Sequence, residues 1–405
     1  MEDMRLSKLD KLIKEFCPDG VEFKKIGEVV EFRAGWLFPS IEQGNLNGYY
    51  PFYKVADMNN SLMYMETANN YVSRETANKL KCKPAPKGTI IFPKVGATMV
   101  TNKKRILSKE SCYDNNIMGI IAKKINSSFL FYFLSGISLM DFANGSGAVP
   151  SLDKKRFENY LIPIPPLEVQ KEIVHILDSF TNITTELIEN LKTELTARRK
   201  QYEYYRDKLL TFGDGVEWRE LGEIGKVKMC KRILKEQTST IGDVPFYKIG
   251  TFGKQADAYI SKDLFEKYIS IFPYPKKGDI LISCSGTIGK SVEFDGKPSY
   301  FQDSNIVWLE HDNSKVINKY LWHYYQKKPW KISTGGTIAR LYNDNILKTK
   351  IPIPPLKEQQ RIVSILDRFD KLCNDLTEGL PAEISARQKQ YEYYRDKLLT
   401  FKSIS

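Results

Sequence analysis

The sequence predicts an α+β protein: two pseudo-symmetric globular domains separated by two long antiparallel, coiled-coil-like helices. Three observations carry that expectation. First, the chain repeats itself. Ile162-Pro163-Ile164-Pro165-Pro166-Leu167 returns as Ile351-Pro352-Ile353-Pro354-Pro355-Leu356, and the twelve residues Gln201 to Phe212 (QYEYYRDKLLTF) return unchanged as Gln390 to Phe401, both displaced by 189 positions. Second, each repeat has two textures, one rich in glycine, aromatic and β-branched residues, the other an apolar stripe at three-to-four spacing. Third, 405 residues that are 42% hydrophobic give chain enough for two or three domains with cores of their own.

Residues 1–17 read as the end of a helix. Asp10-Lys11-Leu12-Ile13, Phe16 and Asp19-Gly20 echo Asp207-Lys208-Leu209-Leu210, Phe212 and Asp214-Gly215. The order is then circular, helix end, domain, rod, domain, rod, and the termini are expected to lie close together. Residues 18–160 and 213–349 read as the two domains. Within them Thr89 to Phe92, Ile117 to Ala122, Asp279 to Ser283 and Ile306 to Leu309 have the short apolar runs of strands. Residues 129–140 and 317–327 read as short helices. Fainter echoes link the domains: Pro51-Phe52-Tyr53-Lys54-Val55 with Pro245-Phe246-Tyr247-Lys248-Ile249, and Asp114, Asn116 and Ile117 with Asp303, Asn305 and Ile306.

Residues 161–212 and 350–405 read as the rods. The first stripe is Ile173, Leu177, Phe180, Ile183, Leu187, Leu191, Leu195, Tyr202, Tyr205, Leu209 and Phe212, and every position is apolar again 189 residues on. Pro165-Pro166 supplies a stiff lead-in with a favoured first-turn proline, and Gly213 a stop. Such a helix is about 65 Å long. One stripe per rod points to the other rod as its partner. Gly379-Leu380-Pro381 predicts a kink or short break in the second rod. The first copy has Asn190-Leu191-Lys192 there and is expected to run straighter.

Charge narrows the function. Lys and Arg number 61 against 49 Asp and Glu, a net +12, which suits an anionic partner such as nucleic acid. The cysteines at 17, 82, 112, 230, 284 and 373 form no CxxC or CxH pair, which argues against zinc and redox motifs and fits a reducing cytoplasm. The N-terminus lacks an apolar signal core, and the most apolar run, Phe129 to Met140, is too short to span a bilayer. The expectation is a cytoplasmic protein with no membrane association.

Active-site motifs fail on inspection. Cys284 to Ser291 nearly spells a phosphate-binding loop, but Cys284 stands where its first glycine belongs, and Val292-Glu293-Phe294 reads as a strand where a helix is needed. Asp19 and Glu22-Phe23-Lys24 resemble part of a nuclease carboxylate–lysine site, with too few residues between the carboxylates for one metal. No S-adenosylmethionine glycine loop appears. His175, His311 and His323 have no clustered partners and read as ordinary structural or surface residues. No catalytic or metal-binding residue is assigned. The rival reading is a nucleotide-dependent DNA enzyme using Gly286 to Ser291; a second is a protein-only scaffold.

The paired Ile-Pro-Ile-Pro-Pro-Leu segments, the helices that follow them through Gln170 and Gln359, and the paired twelve-residue segments resemble the specificity subunit of type I restriction–modification systems. The resemblance spans essentially the whole chain. It implies two target-recognition domains, each reading one half of a split site in double-stranded DNA. It also implies two long helices that set the spacing and bind two modification (methyltransferase) subunits, with restriction (endonuclease/translocase) subunits joining for cleavage. On that basis the chain itself needs no cofactor; S-adenosylmethionine, ATP and magnesium belong to the partner subunits. Phosphates favour Lys and Arg, and base edges favour Arg, Asn, Ser and Thr. The candidate DNA contacts are therefore Lys94, Lys103, Lys104, Arg105, Ser146 and Ser151 in the first domain, and Lys248, Thr287, Lys290, Thr337, Arg340 and Asn343 in the second. The loops Gly145-Ser146-Gly147 and Gly335-Gly336-Thr337 stand at matching places before each rod. The candidate partner contacts on the repeated rod ends are Tyr204, Arg206 and Lys208 with Tyr393, Arg395 and Lys397.

Overall fold

The computed structural model describes residues 2–144, 149–213, 215–332, 339–375 and 377–404. Its helices of eight residues or more are α1 (Glu2–Phe16), α2 (Ser127–Ser135), α3 (Leu167–Leu209), α4 (Lys262–Ile271), α5 (Asn318–Tyr325), α6 (Leu356–Asn374) and α7 (Leu380–Leu398). The chain divides into two compact units. Unit 1 comprises residues 1–190 and 384–405; unit 2 comprises residues 191–383. Each unit thus holds one globular domain, the first half of the rod that follows it and the last half of the other rod.

Unit 1 is built on a five-stranded sheet in the order Val30–Ala34, Ile117–Ala122, Ile90–Pro93, Arg105–Leu107, Tyr64–Met65. A three-stranded sheet, Tyr71–Val72, Tyr50–Tyr53 and Cys112–Tyr113, adjoins it. The runs read as strands in the sequence are buried on both faces, as in Ile90, Ile91 and Phe92, which suits continuous apolar segments. Phe92, Ile120, Phe129, Leu130 and Phe157 form a core that continues into Ile173, Ile176 and Leu177 of α3. Helix α2 starts where the Asn126 side chain accepts the Phe129 N–H at 3.0 Å, an ordinary N-cap.

Unit 2 repeats the plan with a four-stranded sheet, Lys226–Met229, Ile306–Glu310, Ile280–Ser283 and Ser291–Glu293, and a three-stranded one, Tyr259–Ile260, Val244–Tyr247 and Tyr300–Phe301. Its core joins Ile280, Ile282, Val307, Tyr320 and Leu321 to Ile362 and Leu366 of α6, and to Tyr202 and Leu210 at the end of α3.

Two expectations change. The rods do not begin at 161 and 350. Leu161–Ile164 is a strand that pairs antiparallel with Glu22–Lys25, Pro163 opposite Phe23, and Lys350–Ile353 pairs likewise with Glu217–Glu220, Pro352 opposite Trp218. A two-stranded ribbon has only edges, so a proline without an N–H fits. The Ile-Pro-Ile segment therefore closes each domain rather than linking it. A glutamine then locks the turn into the helix. Gln170 Nε2 donates to Pro165 O at 2.7 Å and its Oε1 accepts the Asn126 N–H at 2.8 Å. Gln359 does the same with Pro354 O (2.8 Å) and the Ile317 N–H (2.9 Å), and donates also to Lys315 O (2.8 Å).

The stripe is the second change. Its beginning, Ile173 and Leu177, is buried in the domain core, whereas Ile183 is 66% exposed. Rod meets rod near the ends. Phe180 stacks on Tyr394 in unit 1 at 5.9 Å, and Tyr205 on Phe369 in unit 2 at 5.6 Å, the same pair by the repeat. In unit 2 Tyr205 faces Phe369 while Arg198 lies near Cys373, an antiparallel course. The break in the second rod stands as expected: α6 ends at Asn374, α7 begins at Leu380, and Pro381 falls in its first turn. Helix α3 is continuous over 43 residues. The C-terminal segment lies against the start of the first domain within unit 1, where the Val21 N–H donates to Lys402 O (2.8 Å) and the Ile404 N–H to Val21 O (3.0 Å).

Candidate nucleic-acid interface

In both units one end of the main sheet is framed by three loops, tied by the same two backbone bonds. In unit 1 the Lys94 N–H donates to Asn116 O (2.8 Å) and the Leu152 N–H to Lys94 O (2.9 Å). In unit 2 the Cys284 N–H donates to Asn305 O (2.7 Å) and the Leu341 N–H to Cys284 O (2.9 Å). The echoed turns close differently: Asp114 Oδ1 accepts the Asn116 N–H at 2.8 Å, whereas the Asn305 N–H donates to the Asp303 carbonyl. Gly35 is required beside the first of these turns, because a Cβ there would fall 1.9 Å from Asp114 O.

Side chains differ on this common frame. Unit 1 offers Lys94, half-buried, with its ammonium held below the usual lysine range by burial and partly restored by Asp114. Burial in turn raises the Asp114 carboxyl, against the Asn116 N–H and the nearby Lys54 charge. Ser151 lies alongside, bridged to Val95. Unit 2 places Cys284 where unit 1 has Lys94, its thiol pushed up to about 11 by burial. Around it Ser285 Oγ donates to Asn305 Oδ1 (2.9 Å), and Arg340 Nη2 to Ser304 O (2.8 Å). Thr287 and Asn343 are exposed. Asn343, Arg340, Ser304 and Met229 line one shallow depression. The Lys248 ammonium pairs with Asp257 at 2.9 Å, next to Ile249, whose side chain lies against Gly286.

Several sequence candidates are occupied elsewhere. Lys104 is 3% exposed, and its Nζ donates to Asn102 Oδ1 and Ile137 O, both at 2.8 Å, so it caps the end of α2 and presents no charge to phosphate. Arg105 donates to Ser61 O (2.8 Å) and Lys104 O (2.7 Å). Lys290 donates to Phe252 O at 2.6 Å and braces the hairpin. Lys103 bonds the Asn59 side chain. Ser146 and Thr337 lie outside the described residues. Lys54 was missed, although the sequence pairs it with Lys248; its ammonium bonds Gln43 Oε1 at 2.9 Å at the edge of this frame.

The Gly286–Ser291 loop is a hairpin. Gly289 donates its N–H to Ser283 O at 2.8 Å, and the chain then enters the strand Ser291–Glu293, so no helix N-terminus faces a phosphate. Among the described residues no cluster of metal-ligand type occurs, and no helix is long and apolar enough to cross a membrane.

The rod ends divide into an inner and an outer face. Arg206 and Arg395 are inner: their side chains are 15% and 11% exposed and pair with Asp207 (2.9 Å) and Asp396 (2.7 Å). Arg395 and Asp396 abut Gly136 at the end of α2, and Lys327, just past the end of α5, reaches Leu210 O at 3.5 Å. Arg395 docks the rod on its own domain, and Arg206, paired with Asp207 on its own helix, is likewise largely covered, which corrects the assignment of both to an outer partner face. Tyr204 and Tyr393, about 60% exposed, remain outer, as do Lys208 and Lys397. The Lys208 ammonium stands 5.8 Å over the Tyr204 ring.

A duplicated α+β domain on a duplicated long helix defines a class of modular two-domain protein. The model of the type I restriction modification DNA specificity domain matches residues 18–197 and again 213–386, so the chain belongs to that family. It is 57% identical over 283 residues to a putative type I restriction enzyme specificity subunit of Haemophilus influenzae, covering 69% of this chain and 73% of the relative. It is 36% identical over 318 residues to the EcoR124I/EcoR124II specificity subunit of Escherichia coli, covering 72% and 73%. A solved chain from a study of type I system assembly and conformational transition shares the fold, with a TM-score of 0.61 at 16% identity, over 94% of this chain and 98% of that one. The chain's role is noncatalytic DNA-sequence recognition within a restriction–modification complex.

Proposed function

We propose that each unit reads one half of a bipartite, asymmetric site in double-stranded DNA, and that α3 with the α6–α7 rod sets the distance between the halves. What carries this reading is the three-loop frame, identical in its backbone bonds in both units and different in its side chains. A shared frame with exchanged contacts is how one scaffold reads two sequences. Two modification subunits dock on the outer faces of the repeated rod ends, around Tyr204 with Lys208 and around Tyr393 with Lys397. Restriction subunits join that core for cleavage. S-adenosylmethionine, ATP and magnesium act in those partners, and the complex works in the cytoplasm. Motif sequencing of methylated DNA tests the division of labour: replacing 18–160 should change one half-sequence and leave the other half and the spacing intact. A swap that altered both halves would overturn it. Tyr204→Ala and Tyr393→Ala should each weaken binding of the modification subunit by about 1–2 kcal/mol without changing the unfolding midpoint, and binding unchanged in both would remove the proposed docking face.

A further inference from the structure

Where each domain meets its two rod halves, side chains form a half-buried polar joint, and the repeat aligns the rod residues of the two joints position by position. In unit 1 the sixth residue of α2, Tyr132, donates its O–H to Asp178 Oδ1 of α3 at 2.6 Å. Thr181 Oγ1 lies 3.2 Å from the Tyr132 oxygen and 3.0 Å from the Tyr391 oxygen of α7. In unit 2 the sixth residue of α5 is His323, which is fully buried. Its Nε2 lies 2.8 Å from Asp367 Oδ1 of α6, and its Nδ1 lies 3.2 Å from the Tyr202 oxygen at the end of α3. By the 189-residue repeat Asp367 stands for Asp178, Asp370 for Thr181 and Tyr202 for Tyr391. A carboxylate only accepts, so Nε2 carries a hydrogen toward Asp367, and Nδ1 and the Tyr202 hydroxyl share the second bond.

We infer that these joints are positioning devices for sequence reading, and that His323 is the positioning residue for the half-site read by unit 2. The inference rests on the bipartite reading above. Two features favour it over a plain structural contact. Each joint ties three elements at once: a domain helix packed under the reading sheet, the rod half leaving the domain, and the rod half returning to it. The tyrosine of each joint, Tyr202 or Tyr391, is also the second residue of the twelve-residue segment whose outer face carries Tyr204 or Tyr393. The joint therefore fixes the domain's angle on the same stretch of helix that presents the partner contact. Hydrogen bonds are directional, so this connection holds an angle that apolar packing alone would leave looser.

The test uses the full chain co-expressed with the modification subunit of its own system. Methylated motifs are sequenced, and methylation is timed on duplexes carrying the native site or one wrong base in either half. His323→Ala should reduce discrimination in the unit 2 half by about tenfold, the weight of one buried hydrogen bond, and leave the unit 1 half unchanged. Asp178→Ala, which removes the acceptor of the Tyr132 hydroxyl, should do the converse. His323→Tyr with Asp370→Thr rebuilds the unit 1 joint in unit 2 and should restore discrimination. Unchanged discrimination in His323→Ala, equal loss in both halves, or a rebuilt pair that restores nothing would each overturn the inference. Where His323→Ala does not accumulate, the rebuilt pair decides alone: native-like discrimination supports the joint, and its loss rejects it. A wild-type complex that methylated no split motif would instead overturn the bipartite reading.

Discussion

Units 1 and 2 keep the same backbone bonds and spend their differences on side chains. The loop-frame bonds at Lys94 and Cys284 match to within 0.1 Å, yet one position is a lysine and the other a buried thiol. The rod joint is Tyr132 with Asp178 in one unit and His323 with Asp367 in the other. At the helix end facing the rod, unit 1 has Gly136 with Lys104 behind it, whereas unit 2 has Lys327. Duplication preserved what the main chain needs for closure and released what faces outward or can be substituted in kind. The units differ most at the chain's ends. In unit 1, α1 leads into the first strand and residues 402–404 lie against Val21, so two segments meet where unit 2 has a single chain.

The rods should show this difference most strongly. Helix α3 crosses from one unit into the other without a break, but the second rod has α6 and α7 with a gap between them. Lys192→Pro removes an interior hydrogen bond of α3 and should lower stability by about 3 kcal/mol. Pro381→Lys acts in a first turn, where no N–H was in use, and should stay within about 0.5 kcal/mol of wild type. Urea midpoints measure both. Equal losses would mean that the two rods are mechanically alike.

The glutamine locks come next. Gln359 satisfies three backbone groups and Gln170 two. Alanine at either site leaves buried groups unpaired, at a cost of about 2 kcal/mol, with Gln359→Ala the larger by about 1 kcal/mol. The same unfolding curves decide it: Gln170→Ala equal to or worse than Gln359→Ala would show that the locks do not scale with their bonds.

Much of this was legible beforehand. The repeat, the apolar strands and the proline break all rest on local signals of several residues, and each appears where expected. The ribbon of Glu22–Lys25 with Leu161–Ile164 was not legible. Its pairing is written in no pattern within either segment, and the prolines suggest a linker. The rod stripe was read as one surface, but its beginning belongs to a domain core, because periodicity reports an apolar face and not what covers it. At the site, residue type was a weak guide. Thr287 and Asn343 are exposed as a reader needs, whereas Lys104, Arg105 and Lys290 satisfy carbonyls of their own domain. The arginines of the repeated segment are largely covered in both copies, each paired with the aspartate beside it. Lys54 could have been found by treating the echo with Lys248 as a symmetric pair.

Lys104 separates the units once more, through pH. Burial, with the Arg395 charge nearby, lowers its ammonium from the usual lysine range to about 7. In the unfolded chain the same group titrates near 10.4, by the ordinary value for lysine. Between these values the unfolded chain holds a proton that the folded one has released. Stability therefore rises with pH across that window, and the full penalty applies below about 7. Just above 7 the slope should be about 1 kcal/mol per pH unit. The neutral amine still donates to Asn102 Oδ1 and Ile137 O, so the cap on α2 survives the change. Lys327 is also lowered by burial, but it is only partly covered and has Asp207 to favour its charge, so unit 2 should contribute a weaker slope. Lys104→Met removes the titrating group. Its unfolding free energy, measured from pH 6.5 to 9, should be flatter than that of wild type, and Lys327→Met should leave most of the slope in place. If Lys104→Met kept the full wild-type slope, the folded lysine would be charged throughout, and the difference between the two rod–domain contacts would lie in packing alone.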